Sequence, residues 1–414
     1  MMGLELPLVT ATMARLAEPR LSLAAYGGVV FPLSLVIEGP IIMLLSASTA
    51  LARDRASYDL MRRFLWGSIG VLTAIHALVA FTPLFDVLAG RWLGAPPEIL
   101  EPARTGLRIL TPWTGSIAYR RFQQGVLIRH GRSGLVGVGS IVRLLVNLLV
   151  LGVGLLHGGL PGIVVGATAV SAGVLSEAFL AGVLVRPVLR GFVDRAPVQS
   201  PPLTMRGFLH FYVPLALTPL ITLASTPLAS AAVSRMPAAI DSLAAWPAVN
   251  GVIFLLRSLG FAFNEVVVAR IEHPGALAPL RRFAWTLAAA VSVAMALAAA
   301  TPAGQAWFAG LSALAPDLVA LAMAALWYAV ALPALAVQQS WYQGMLVAGR
   351  RTGAVTEGVV VFLSVMGGCL LLGIASGRLP GLFVAVLANA IACVAQNLWM
   401  RRRAMPVLRE LATR

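Results

Sequence analysis

The chain has 414 residues, of which 59% are hydrophobic and only 11% charged, with a mean hydropathy of +0.87. Soluble domains carry about 25% charged residues, so the composition excludes a soluble globular protein. The net charge is +15, and all 31 basic residues are arginine.

Hydrophobic runs of about 20 residues recur along the whole length, the pattern of a polytopic α-helical membrane protein. The alternation expected of a membrane β-barrel is absent. Twelve segments can be read, near residues 1–14, 22–50, 62–84, 104–128, 133–156, 160–185, 207–232, 242–269, 280–301, 317–347, 353–376 and 380–400. The opening MMGLELPLVTATMAR has neither a basic start nor a small-residue cleavage site, so it reads as a helix and not a signal peptide. Fourteen residues rise only about 21 Å against a hydrocarbon core of about 30 Å. The first helix is therefore expected to be short or truncated: either the native start lies upstream of Met1 or the helix is half-length. Segment two contains Glu38-Gly39-Pro40, which must kink or break the helix beside a charge, because proline removes a backbone donor. Segment four carries Arg108, Arg120 and Arg121, segment five Arg143, and segment six Glu177. Segment eight carries Asn250, Arg257 and Glu265, and segment eleven Glu357.

Arginine counts in the loops set the expected orientation. Twenty arginines fall in the loops and tail that share a side with both termini, and six fall in the others: Arg15, Arg20, Arg91, Arg104, Arg235 and Arg378. Both termini are expected in the cytoplasm, in a bacterial inner (plasma) membrane.

The chain also repeats itself. At an offset of 219, Arg62-Arg63-Phe64 matches Arg281-Arg282-Phe283, Trp66 matches Trp285, and Gln124-Gly125 matches Gln343-Gly344. Leu160-Pro161-Gly162 likewise matches Leu379-Pro380-Gly381, and PVLR at 187–190 recurs at 406–409. Near the start the offset is 220, with Ser22-Leu23-Ala24-Ala25 matching Ser242-Leu243-Ala244-Ala245. A duplicated six-helix unit follows, with an N-lobe over 1–190, a linker over 191–206 and a C-lobe over 207–414. An even helix number per unit makes the repeat parallel, a layout that secondary transporters use for alternating access.

A charge at the bilayer centre costs about 2.5–3.5 kcal/mol even on insertion scales. Arg143 lies about 15 Å into its segment and Arg257 about 18 Å from the end of its own; Glu38 is similarly deep. Neighbours such as Arg120 and Arg121 point about 100° apart on a helix, so one of the two is expected to face a cavity. The candidate substrate-binding residues are Arg143, Arg257, Arg120, Arg121, Glu38 and Asn250. Guanidinium suits an anion because its fork donates bidentately to carboxylate or phosphate. Glu38, Glu5 and Glu265 are the candidates for carrying a coupling proton or sodium ion. Glu177, Glu265 and Glu357 could each instead pair with a neighbouring arginine. No phosphate-binding loop, HExxH or GxSxG occurs, and the five histidines are scattered. The expectation is a protein that is not an enzyme, without cofactor, bound metal or nucleic-acid partner, whose partners are a small anionic substrate and the bilayer. Cys369 and Cys393 read as buried small hydrophobes.

Two parallel six-helix bundles resemble the multidrug and toxic compound extrusion (MATE) fold, within the superfamily that includes polysaccharide and lipid-linked precursor flippases. Several stretches resemble the progressive ankylosis (ANK) protein family: GVLIRHGRSGLVGVGSIVRLLVNLLV (125–150), FYVPLAL and PLASAAVSR within 211–235, and EGP in segment two. Glu5 falls where that family has an acidic residue in its first helix. The resemblance implies export of small polyanions, of the pyrophosphate, nucleotide and citrate class, by rocker-switch alternating access. The sequence departs from the family at Arg143, where an acidic residue would stand, and lacks the acidic tail of the animal members. The alternatives are a cation-coupled multidrug antiporter, a lipid-linked precursor flippase, and a non-transporting scaffold or receptor.

Overall fold

The computed structural model describes residues 2–193, 196, 197, 201–271, 275–349, 351 and 353–412. Apart from one isolated bridge between Ala17 and Pro161, the described residues are helices and turns. The chain divides into two compact units, Met1–Pro227 and Leu228–Arg414.

In the first unit, α1 (Met2–Met13) has 12 residues. The second segment is one broken span, α2 (Pro19–Ala25), α3 (Phe31–Glu38) and α4 (Leu44–Leu51). A π turn over Tyr26–Val30 and a 3-10 turn over Gly39–Ile41 separate the pieces. The break falls where Glu38-Gly39-Pro40 predicts it. Pro40 has no amide hydrogen to donate, and Leu220 fills the space where a Cβ on Gly39 would stand. Next come α5 (Arg55–Phe81), α6 (Pro97–Ile109), α7 (Thr111–Arg129), α8 (Ser133–His157), α9 (Gly162–Val188) and α10 (Met205–Leu223). The start of α5 is fixed by a reciprocal cap: Ser57 N donates to Asp54 Oδ1 (2.7 Å), and Asp54 N donates to Ser57 Oγ (3.1 Å). Helix α10 packs within the first unit, with Phe208 and Tyr212 5.0 and 5.2 Å from the Phe64 ring.

Helix α11 (Ser225–Val233) leads into the second unit, which holds α12 (Ala239–Arg270), α13 (Leu277–Ala300), α14 (Pro302–Gln305), α15 (Pro316–Ala329), α16 (Leu332–Ala348), α17 (Gly353–Ser376) and α18 (Gly381–Ala412). Every one of the twelve hydrophobic segments corresponds to helix. Ten helical stretches are long and apolar enough to cross a membrane among the described residues. The other two segments do not reach that length and composition. Helix α1 has 12 residues, and the α6–α7 segment is interrupted at Leu110 and loaded with Arg108, Arg120 and Arg121.

Backbone detail follows the sequence repeat. Glu18 and Ala238, 220 apart, both adopt φ of 52°, and Gly158 and Gly377, 219 apart, both take positive φ. Gly162 N donates to Ala17 O (3.1 Å), as Gly381 N does to Pro237 O (3.2 Å). A π turn over Asp86–Trp92 recurs over Ala306–Leu311. The units differ at their second span, broken in the first and continuous as α12 in the second despite Pro247.

Candidate functional site

The deep charges of the first unit assemble into two adjoining clusters. The first centres on Glu177 of α9, whose side chain is fully buried. Arg120 Nη1 donates to Glu177 Oε2 (2.9 Å) and Gln124 Nε2 to Glu177 Oε1 (2.9 Å). These two donors lie one helical turn apart on α7, so both reach the same carboxylate. Arg143 Nη1 stands 3.6 Å from Glu177 Oε2. The same guanidinium turns its other edge to Glu5 of α1: Nε donates to Oε1 (3.1 Å) and Nη2 pairs with Oε2. Asn147, one turn along α8, adds a bond from Nδ2 to Glu5 Oε1 (2.6 Å). Two carboxylates and two guanidiniums thus alternate across α1, α8, α9 and α7 with no net charge. Glycine makes room for them. A Cβ on Gly173 of α9 would overlap Asn147 Oδ1, and one on Gly139 of α8 would press on Glu177.

Arg121 is the next residue but projects elsewhere. Its Nη1 donates to Ile42 O (3.2 Å), a carbonyl exposed by the break in the second span. Glu38, at the same break, is 4% exposed, and its Oε2 has no hydrogen-bond partner among the described residues. Arg121 and Arg120 both lie within electrostatic range of Glu38. Tyr212 of α10 donates from its hydroxyl to Pro40 O (2.6 Å), closing this second cluster from another side. The buried Nε of Arg120 and of Arg121 has no acceptor.

Of the sequence-derived candidates, the structure brings Arg120, Arg121, Arg143, Glu38 and Glu5 into these two clusters. Arg120 and Arg143 are held by Glu177 and Glu5 inside the unit, whereas among the described residues Arg121 is hydrogen-bonded to a carbonyl alone. Glu177, Gln124 and Asn147 were missing from the candidate set. A lone carboxylate within the apolar segment six was the available signal for Glu177, and nothing local marks the two amides.

In the second unit, Arg257 of α12 donates from Nη2 toward Cys393 Sγ at 4.0 Å and lies over the Phe261 ring at 5.4 Å. It has no carboxylate partner among the described residues, and its buried Nε has no acceptor. Asn250 is half-buried and makes no hydrogen bond among the described residues. The side chain of Glu265 lies outside the described residues. Glu357 pairs bidentately with Arg403 (2.7 Å each) and accepts from Trp399 Nε1 (3.0 Å), the local ion pair the sequence allowed. Both cysteines are free.

The geometry invites comparison with known transporters. A multidrug resistance MATE family transporter of the MOP superfamily, solved facing inward, superposes with a TM-score of 0.75 at 17% identity, covering 98% of this chain and 96% of its own. The fold is MATE-like. The lipid II flippase MurJ gives 0.76 at 14% identity, covering 100% and 90%. A MOP superfamily transporter from Pyrococcus furiosus, described as having a binding pocket of reverse polarity, gives 0.64 at 16%, covering 98% and 95%. At these identities the likeness is one of fold. No family model matches the sequence, and no curated protein does.

Proposed function

We propose that this protein is a secondary-active transporter that exports small organic or phosphate polyanions by rocker-switch alternating access, akin to the ANK family. It would sit in a bacterial inner membrane with both termini in the cytoplasm. The observation that carries the reading is the unfilled donor capacity of deep guanidiniums. Arg121 Nε and Arg257 Nε are buried without an acceptor, and neither residue is hydrogen-bonded to a carboxylate among the described residues. Buried donors are normally satisfied, and an anionic ligand satisfies a guanidinium best.

Glu38 is the natural counterpart of Arg121. Its free oxygen makes it an internal anion that competes with the cargo, and a proton on Glu38 would remove that competition. Glu5 is the poorer proton carrier, because Arg143 and Asn147 already occupy both its oxygens. Coupling of anion to proton through Glu38 follows.

Thermal stabilisation of the purified protein tests this. A ligand that binds only the folded state raises the melting point as its concentration exceeds its Kd. Pyrophosphate, ATP or citrate should stabilise the protein, more strongly as pH falls toward Glu38 protonation. Arg121→Ala should abolish the effect, and Glu38→Gln should keep it while flattening its pH dependence. Stabilisation by a lipophilic cation alone would overturn the proposal in favour of a drug antiporter. Silence from every soluble ligand would overturn it in favour of a lipid-linked precursor flippase.

A further inference from the structure

The second unit contains a cavity of about 450 Å³ between α13, α16 and α18. Arg281 and Arg401 line it together with Trp285, Trp341 and Tyr342. Neither guanidinium is paired with a carboxylate among the described residues. Asn397, also on the wall, is 4% exposed. Its Nδ2 donates to Leu335 O (3.1 Å) and Cys393 O (2.9 Å), while its buried Oδ1 accepts from no group among the described residues. A buried amide oxygen lacking a donor calls for one from outside the chain.

The repeat shows that this cavity is specific to one half. At the offset of 219, Trp285, Gln338, Asn397 and Arg401 correspond to Trp66, Tyr119, Ala178 and Gly182. In the first unit Tyr119 plugs the groove. Its ring lies 5.9 Å from Trp66, and its hydroxyl sits 2.6 Å from where a Cβ on Gly182 would stand. The second unit has shortened the plug to glutamine, turned the receiving glycine into a cation, and turned an alanine into an amide. Three changes at one place convert a filled groove into an open, polar-ended one.

The groove opens sideways. Helix α13 presents Phe283, Trp285, Val293 and Leu297 outward, each more than half exposed, as a helix bathed in hydrocarbon does. Trp285 belongs both to that face and to the cavity wall. On the α18 side, Val394 and Leu398 line the cavity and are also substantially exposed.

We propose that this groove holds an anionic phospholipid whose headgroup carries a hydroxyl. The phosphate is bound by Arg281 and Arg401, whose forked donors match phosphate oxygens. The hydroxyl donates to Asn397 Oδ1, and an acyl chain runs along Trp285, Val394 and Leu398. Tryptophan and tyrosine at this level suit the headgroup boundary. The inference stands on the second unit alone and does not depend on the transported substrate.

Native mass spectrometry of the delipidated protein tests it, with phosphatidylglycerol and phosphatidylcholine added in turn. One phosphatidylglycerol should be retained per chain, at roughly tenfold preference over phosphatidylcholine, the scale of one hydrogen bond, here that of the headgroup hydroxyl to Asn397 Oδ1. Arg401→Gln should weaken retention by a similar factor. Gln338→Tyr combined with Arg401→Gly, the pair that the first unit already folds with, should abolish it without lowering the melting point of the lipid-free protein. Equal retention of the two lipids, or undiminished retention in the double variant, would overturn the proposal. Displacement of the lipid by millimolar inorganic phosphate or glycerol phosphate would also overturn it, by showing that the site reads the anion alone.

Discussion

Glu177 illustrates how strongly a single buried carboxylate can be committed. Arg120, Gln124 and Arg143 all converge on it from two other helices. Removing one partner of a buried ion pair leaves the other charge uncompensated, at about 3–5 kcal/mol. Glu177→Ala should therefore destabilise the protein by that order, measured by denaturant unfolding in detergent. Glu177→Leu with Arg120→Leu should recover much of the loss, because a buried pair replaced by apolar groups is often near neutral. If the double variant is as unstable as the single, the pair is not the source of the effect. At this scale the sequence revealed only half of the site. It marked which charges lie deep, since a charge inside an apolar run stands out by itself. It could not say which carboxylate each arginine serves, because Arg120 and Glu177 are 57 residues apart and Arg143 and Glu5 are 138 apart. Neighbouring arginines, Arg120 and Arg121, consequently looked interchangeable and are not.

Helix packing was more legible in its kind than in its tightness. The Gly39-Pro40 break follows from local chemistry and stands where the sequence puts it, whereas the Asp54 cap, which starts α5 at Arg55, lies ahead of the segment expected near 62–84. Close approaches between helices do not announce themselves, because a glycine in an apolar helix reads as mere tolerance. Gly125 of α7 is such a case. A Cβ there would lie 1.9 Å from Ser48 Oγ and 2.3 Å from the Leu45 carbonyl oxygen on α4. The two helices are also joined by Ser48 Oγ donating to Phe122 O (2.9 Å) and Thr49 Oγ1 donating to Gly125 O (3.2 Å). Small residues that let backbones meet are the usual currency of membrane helix association. Its repeat counterpart, Gly344, meets Val267 Cγ1 at 2.6 Å and Cβ at 2.7 Å, a shallower overlap than the one Gly125 would make with the Leu45 carbonyl oxygen. Gly125→Ala should thus lower stability by about 1–3 kcal/mol, the usual scale of overpacking, and Gly344→Ala by clearly less. Equal melting temperatures for the two variants would contradict this ranking.

For the whole molecule, composition alone led to an all-helical membrane protein, and the 219-residue offset led to a duplicated unit whose backbone correspondences the structure shows. The orientation proposed for it rests on arginine counts, and trypsin reads those counts directly because every basic residue is arginine. Inside-out membrane vesicles should be cut at several loops, including the connection around Arg186–Arg206, while right-side-out vesicles should yield few fragments. The reverse pattern would invert the topology. What remained illegible at this scale is the difference between the halves. Duplication fixes a shared scaffold, and each half has since placed its polar side chains independently: ion clusters in one, an open groove in the other.

The pairing of Glu5 with Arg143 also carries a schedule. Helix α1 leaves the ribosome with a carboxylate meant for the interior, yet the guanidinium that balances it is made 138 residues later. At synthesis speeds of about 5–20 residues per second, that is a delay of roughly 7–28 s. Throughout that interval the carboxylate must keep a proton or stay out of hydrocarbon, where a bare charge is expensive. Helix α1 can therefore take up its paired position only once α8 has been made.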